Sequence, residues 1–495
     1  MFGLAPKRKC LGALLAALAI VMLVATLCPS RALADEAADA VAYSDDASGN
    51  RTYYTTVEAA RSAGYEGATI VLAKDWDLTE TFVVASGKAL TIDMNGHKIS
   101  NNGTGSVIRQ DDNSKLALTS GQFVVFDFKG YNEDTGEACD TRYPAGGLVT
   151  GGCSYDAGGI QVDANSTLTL NNVAVGGNSG MGGGIRINGG CTLSMVGSAV
   201  LHNKNSNGSG GGIYVGGEDC NVTLDSSMVG YNYASSCGGG IFSGADGTRI
   251  CLLNNATITD NTALSGGGIF LNKSWFCVQS PDKTGSVCSN VAKGNFTKNV
   301  EDGAGIFVSG TINYDKSGST IQNLIIQSNH SDVDGGGIYL SQKNTRVIGC
   351  NISGNEAVED GGGVYVDASG CSIENCQITE NANNTCGKNY EGGGVFVSYK
   401  YDLGLAGKCT ITGNTRGRNG SADDLFLNAN VGNTARAYLT GSVDAGSSIG
   451  IRTGITGFRT IMNGTSPLDQ GIFFMDLKSF NVAYSSDGSH LYQVP

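Results

Sequence analysis

Short aliphatic alternations recur between Ala157 and Asn414, with no helical pattern among them. In Gly361-Gly362-Gly363-Val364-Tyr365-Val366-Asp367 the aliphatic side chains alternate, as they do in Cys371-Ser372-Ile373-Glu374 and in Cys376-Gln377-Ile378-Thr379-Glu380-Asn381. Alternation at period two sends successive side chains to opposite faces of a strand, and each run is too short for a helix. The pattern predicts three short strands in about 26 residues, one coil of a parallel β-helix. Leucine-rich and helical repeats would need segments of period 3.6, and propeller blades would need four strands joined by hairpins.

The coil repeats. A Gly-Gly-Gly-Ile phrase or a near variant starts at Gly182, Gly210, Gly238, Gly266, Gly303, Gly335, Gly361 and Gly392, after a degenerate first copy at Ala157-Gly158-Gly159-Ile160. Each copy closes, after an aliphatic run, on an asparagine: Asn178, Asn203, Asn232, Asn261, Asn299, Asn329, Asn355, Asn381 and Asn414. Stacked coils lie roughly 4.8 Å apart, so each repeat position becomes a column. The glycine column answers a hard turn where a Cβ would be penalised. The asparagine column is expected to tolerate left-handed backbone and to hydrogen-bond along the stack through its amides.

The flanks predict caps and an exported chain. Residues 1–34 combine Lys7-Arg8-Lys9, an apolar run from Leu11 to Leu27 and Ala32-Leu33-Ala34 before Asp35, an export signal whose small-residue cleavage site argues against a retained anchor. Over 35–155 a capping box at Thr55 and Glu58 opens a short helix, with Val57, Ala60 and Ala63 before Gly64. Strand-like runs follow at Ala68 to Leu72, Thr81 to Ala85, Leu90 to Met94 and Lys115 to Thr119, read as irregular first coils, and 123–155 reads as a surface loop. The nine coils occupy 156–414, interrupted by excursions at Ser274 to Lys293 and Asp315 to Ser319. Over 415–495 the runs at Asp424 to Leu427, Ala437 to Leu439, Ile449 to Ile451 and Phe473 to Val482 read as closing coils and a β-rich cap.

The Gly-Gly-x-Ile phrase with its aliphatic-x-x-Asn partner resembles the right-handed parallel β-helix of the pectate-lyase-like superfamily, and its glycine-rich form is similar to repeats of bacterial surface proteins and polymorphic outer-membrane adhesins. The leading segment Thr91-Ile92-Asp93-Met94-Asn95-Gly96-His97 also looks like the first coils of such secreted proteins. The resemblance implies an all-β right-handed solenoid with a short N-terminal helix. That fold hosts lyases, hydrolases, epimerases and pure adhesins, so it does not choose a function. The barrel that ends the outer-membrane adhesins has no counterpart in the short stretch after Asn414.

Composition narrows the partners. Glycine makes up 75 of 495 residues with only 6 prolines, an excess that the repeat explains. The formal charge of −13 becomes −17 once Lys7, Arg8, Lys9 and Arg31 leave with the signal, which disfavours nucleic acid. Of 15 cysteines 13 remain after cleavage. Local disulfides are expected between Cys139 and Cys153 and between Cys277 and Cys288. Cys191 and Cys220 should be neighbours in adjacent coils, and Cys350, Cys376 and Cys409, each five residues before an asparagine, should form a buried column of small hydrophobes.

Two outward columns carry the candidate chemistry. The residue after the phrase's isoleucine must face out, because its two neighbours face the core. There stand Tyr214, Phe242, Phe270, Phe307, Tyr339, Tyr365 and Phe396, a stripe that either binds sugars on its ring faces or stacks on itself. The residue before the phrase is acidic in the last coils: Asp302, Asp334, Asp360 and Glu391, with Glu301, Asp332 and Glu359 nearby. Stacked carboxylates repel unless a cation lies between them, and calcium is the natural candidate; the same groups suit glycosidase acid/base work, or a solvated acidic turn. His330, near Asp332 and Asp334, is the one histidine in a catalytic-looking setting.

The sequence reads most directly as a secreted or bacterial cell-surface interaction protein of adhesin type, binding glycans or host or neighbour surfaces through the aromatic column. The alternative is a polysaccharide lyase or glycoside hydrolase acting on acidic polysaccharide through the carboxylates, and a third is a passive spacer. Few basic residues lie near the acidic column, Lys343 and Arg346 being closest in sequence, which disfavours a lyase base.

Overall fold

Each glycine phrase leads into an aliphatic pair that straddles one residue, and this triplet forms the first strand of a coil. The structure, a computed structural model, describes residues 39–494 except 123, 132–137, 274, 295–302, 311–317, 385–389, 418, 431–432, 455–458, 464–470, 477–480 and 485–489. The expected export signal lies outside these residues. In register, Ile185 pairs with Ile213, and the column continues through Ile241, Ile269, Ile306, Ile338, Val364 and Val395 to Leu425, always parallel. The inward side chains are fully buried, and burying an aliphatic of this size stabilises by about 1.5–3 kcal/mol.

The coil that starts at Gly182 shows the plan. Its first strand is Ile185–Ile187, its second Thr192–Val196 and its third Ala199–Leu201. A fourth strand, Lys204–Asn205, adds a face beyond the three expected, and such strands form an 11-stranded parallel column among the described residues, closed by one antiparallel pair. Two residues cannot show alternation, so the sequence pattern hides this face. One apolar core runs from Ala42 to Leu491. The chain is an all-β parallel solenoid, and Val57–Tyr65 is the α-helix among the described residues.

That helix packs against the strands Thr69–Leu72 and Ala89–Asp93. Thr56 caps it, its hydroxyl accepting the Ala59 N–H at 3.2 Å, so the expected cap at Thr55 shifts by one residue and Glu58 lies in the first turn, where a negative charge meets the helix dipole. Gly64 belongs to the helix rather than following it, and a Cβ there would lie 2.2 Å from Leu90 Cδ1, so the close packing on Leu90 calls for glycine. The antiparallel pair Ala42–Asp45 and Arg51–Tyr54 extends the second face beyond Thr69–Leu72.

Two expected irregularities are regular. The segment read as a loop contains an antiparallel hairpin, Val124–Tyr131 with Ala138–Ala145, followed by Gly147–Thr150 and Cys153–Ser154, which join the third and fourth faces. Phe126 and Tyr143 of the hairpin pack over Leu148 and Ala174, shielding apolar groups that the third face turns outward. The excursion expected at Ser274 to Lys293 is mostly an ordinary coil, with strands Phe276–Gln279, Ser286–Cys288 and Val291–Ala292. Most of the expected bulge from Asp315 to Ser319 lies outside the described residues. After Asn414 the first face continues as Leu425–Leu427, and the antiparallel strands Arg459–Asn463, His490–Val494 and Asn481–Tyr484 end the chain.

Candidate functional site

The glycine and asparagine phrases of one coil meet in space. A Cβ on Gly363 would lie 3.0 Å from Asn381 Nδ2, a Cβ on Gly362 would lie 2.3 Å from the Ala382 carbonyl of the fourth strand, and Gly361, at φ +69°, would place one 3.0 Å from the Tyr365 Cβ. The three glycines thus make room for three different neighbours: the ring column, the fourth strand and the asparagine column.

The asparagines form a directional ladder. Asn203 Nδ2 donates to Asn232 Oδ1 at 3.0 Å and to the Val175 carbonyl at 3.0 Å, while its backbone N–H donates to the same Asn232 Oδ1 at 3.0 Å. The pattern repeats through Asn261, Asn290, Asn329, Asn355 and Asn381 to Asn414. Asn290 fills the rung expected of Asn299, which lies outside the described residues. The left-handed backbone sits one residue earlier than expected, at His202 (φ +51°), Tyr231 (φ +57°) and Asp260 (φ +54°).

The aromatic column stands where the alternation places it and continues to Phe426. From Tyr214 through Phe242, Phe270, Phe307, Tyr339, Tyr365 and Phe396 to Phe426 the rings stack with centroids 4.7–5.7 Å apart and planes within 21°. Arg186 closes one end over Tyr214 at 5.7 Å and Arg452 the other over Phe426 at 5.1 Å. The ring faces are spent on one another, as the self-stacking alternative requires. Tyr339 is only 3 % exposed, while Tyr214, Phe242 and Tyr365 keep part of their rims open. Phe426 was legible in Leu425-Phe426-Leu427, the same triplet without its glycines.

Three of the predicted carboxylates share a column, and Asp302 lies outside the described residues. Asp334 Oδ1 accepts the Asp360 N–H at 2.9 Å, and Asp360 Oδ1 accepts the Glu391 N–H at 2.7 Å. Glu391 is held by Arg416 at 2.8 Å and by Arg452, which also meets Asp423 at 3.3 Å. These arginines lie 25 and 61 residues after Glu391, beyond any local pattern. Burial, reinforced by the neighbouring Asp334 charge, pushes Asp360 up to about 8; burial pushes Asp423 up to about 7 against the pull of Arg452. A carboxyl protonated near neutrality beside a second carboxylate is an acid/base pair in chemical terms.

His330 sits in a fourth strand, its Nε2 3.2 Å from Asp332 Oδ1 and its Nδ1 3.9 Å from Glu356 Oε1. The hydrogen bond to Asp332 raises its pKa. Among the described residues no group of three or more His, Cys, Asp and Glu is placed to hold a metal ion.

Neither of the expected local disulfides is present in the structure. Cys153 and Cys277 carry free thiols. Cys277 lies on the second face, whereas Cys288 lies on the third, its thiol 3.4 Å from the Thr259 hydroxyl, so the fold separates that pair. The chain order around Cys191 and Cys220 puts them in adjacent coils, since Thr192 pairs with Asn221; Cys350, Cys376 and Cys409 likewise share one buried column.

Among the described residues no helix is long and apolar enough to cross a membrane. No protein-family model matches the chain, and a search of curated proteins finds no match.

Proposed function

We propose that the chain is an exported or bacterial cell-surface interaction protein of adhesin type, right-handed in its coil, that binds glycans or host or neighbour surfaces along its second face. The observation that carries this reading is a straight column of outward, polar or charged side chains in register over successive coils: Thr167, Thr192, Asn221 and Arg249, resumed at Thr320 and Arg346. Hydroxyl, amide and guanidinium groups repeated at the coil spacing suit an extended polymer with its own periodic hydroxyls or acids. Trp275 stands beside this column, with the Arg249 guanidinium 4.9 Å from its ring centroid, and supplies an apolar surface for a sugar. The rims of Tyr214, Phe242 and Tyr365 offer a second, narrower contact. A glycan-array and polysaccharide-digestion screen, with calcium and with chelator, tests this. Binding without cleavage that is lost in Trp275→Ala with Arg249→Ala supports it; binding untouched by those changes removes the second face from the reading.

A second reading, a carbohydrate-active enzyme of the glycoside hydrolase kind, is favoured by Asp360, pushed up to about 8 beside Asp334. In it Asp360 would protonate a leaving oxygen while Asp334 serves as partner. Release of reducing ends from an acidic polysaccharide, abolished by Asp360→Asn and Asp334→Asn with binding retained, would replace the first reading with this one.

A further inference from the structure

The corner before the third strand is a column in which the side chain of one coil accepts a backbone N–H from the coil before it. Val173 N–H donates to the Ser198 hydroxyl at 3.1 Å and Ser198 N–H to the Ser227 hydroxyl at 3.1 Å. Toward the C-terminus sulfur takes the place of oxygen: Cys350 N–H donates to Cys376 Sγ at 3.4 Å, and the column returns to oxygen where Cys409 N–H meets the Ser447 hydroxyl at 3.1 Å. A thiol is the poorer acceptor, so hydrogen bonding alone gives no reason to prefer cysteine here.

We propose that Cys350 and Cys376 are a modification site, oxidised to a disulfide that staples two successive coils. Their adjoining residues Asn351 and Gln377 are direct register partners, which places the two Cα atoms about one strand spacing apart, roughly 4.8 Å, inside the 4.4–6.8 Å that a disulfide spans. All three thiols point to backbone carbonyls, Cys350 to Ile321 and Ile348, Cys376 to Val347 and Glu374, and Cys409 to Ile373 and Ala406, and the contact that singles out the first pair is the Cys350 N–H on Cys376 Sγ at 3.4 Å. The pair is reduced in the structure. The co-reactant is a low-molecular-weight disulfide: one cysteine thiolate attacks it, releasing one small thiol and leaving a mixed disulfide, and the second thiolate then attacks the cysteine sulfur and releases the other small thiol. Two electrons pass to the small disulfide, and the two cysteine protons end on the released thiols. Cys350 and Cys376 are 1 % and 2 % exposed, so the exchange takes place while the coils are still closing, and the finished bond is shielded from reductant.

The purified chain, reduced in denaturant, is refolded in a redox buffer of reduced and oxidised glutathione; free thiols are then alkylated in denaturant and the digest is read by mass spectrometry. The expected result is one reductant-sensitive species joining the Cys350 and Cys376 peptides, retained in Cys409→Ser and lost in Cys376→Ser. Serine stands at the equivalent corner of other coils, so Cys376→Ser keeps the N–H acceptor and is expected to fold. The denaturant midpoint should fall on reduction in the unsubstituted chain and stay put in Cys376→Ser. Alkylation of both Cys350 and Cys376 in the refolded sample, or a bridge from Cys376 to Cys409, overturns the assignment.

Discussion

Asn414 gives two hydrogen bonds to one oxygen: its backbone N–H and its Nδ2 meet Asp424 Oδ1 at 2.8 Å and 2.9 Å. A carboxylate therefore stands where the next amide of the ladder would be. Asp424 in turn donates its N–H to Asp476 Oδ2 at 2.7 Å, and the two side chains contact each other. Burial and the Asp476 charge push Asp424 up to about 7, the state in which one carboxyl can donate to the other.

This pair makes stability fall as pH rises. A carboxyl whose folded pKa lies above its unfolded value contributes fully below the unfolded pKa, about 3.9, and loses that contribution as pH climbs through the folded value. Asp360, pushed to about 8, acts in the same direction. Urea unfolding of the unsubstituted chain should show a lower midpoint at about pH 9 than at about pH 5, and Asp424→Asn, which puts an amide in the last rung, should reduce the difference. An unchanged difference in Asp424→Asn would remove this carboxyl from the account.

The meeting of glycine and asparagine within a coil predicts coupled mutations. Asn261→Ala strips the acceptor from the Asn232 amides and the donor from the Val229 carbonyl, buried losses of about 1–3 kcal/mol each. Gly240→Ala sets a methyl 2.9 Å from Asn261 Nδ2 and 2.6 Å from the Gly268 carbonyl. The double substitution should cost less than the sum of the two, because the alanine methyl enters space that the shortened side chain vacates. Full additivity in denaturant unfolding would show that the two columns do not share that space.

The ring column predicts a spine rather than a set of independent contacts. Tyr339 lies between Phe307 at 4.8 Å and Tyr365 at 4.7 Å, so Tyr339→Ala should cost about 3–5 kcal/mol, while Tyr339→Phe keeps the stack. Tyr214→Ala, with a ring on one side only, should cost less. Thermal unfolding orders the three variants, and a Tyr339→Ala chain as stable as its parent would contradict the assigned role.

The helix cap is tested by neighbouring threonines. Thr56→Ala should cost about 1 kcal/mol, whereas Thr55→Ala should stay within about 0.5 kcal/mol. Equal effects would restore the cap to the earlier residue.

The solenoid was readable from the sequence because its rules are local: two aliphatics astride one residue, a glycine triplet, an asparagine. What escaped needed contacts between coils. Val287-Cys288-Ser289-Asn290 carries the aliphatic-x-x-Asn phrase 29 residues after Asn261, but the next glycine phrase starts only at Gly303, and Asn299, nearer to it, looks like the closing residue. Gly268 decides for Asn290, since its missing Cβ would lie 2.9 Å from that amide. The outward columns were placed correctly by parity, yet parity is silent on whether rings turn their faces to solvent or to each other. The arginines that hold Glu391 belong to later coils, and the cysteine column showed its depth in the sequence but not its hydrogen-bonded corner.

The ladder also carries a sense of direction. Every amide from Asn178 onward passes its proton forward, and an amide can do so only because it accepts on one side and donates on the other. A coil carrying Asn could be duplicated or lost in the middle with each surviving rung still finding a matching neighbour. Asp424 carries the backbone step on to Asp476 Oδ2, but its side chain is a carboxyl, which has a proton to pass on only when it is protonated. The ladder thus changes its chemistry at one rung, from amides that donate at any pH to carboxyls whose giving depends on it.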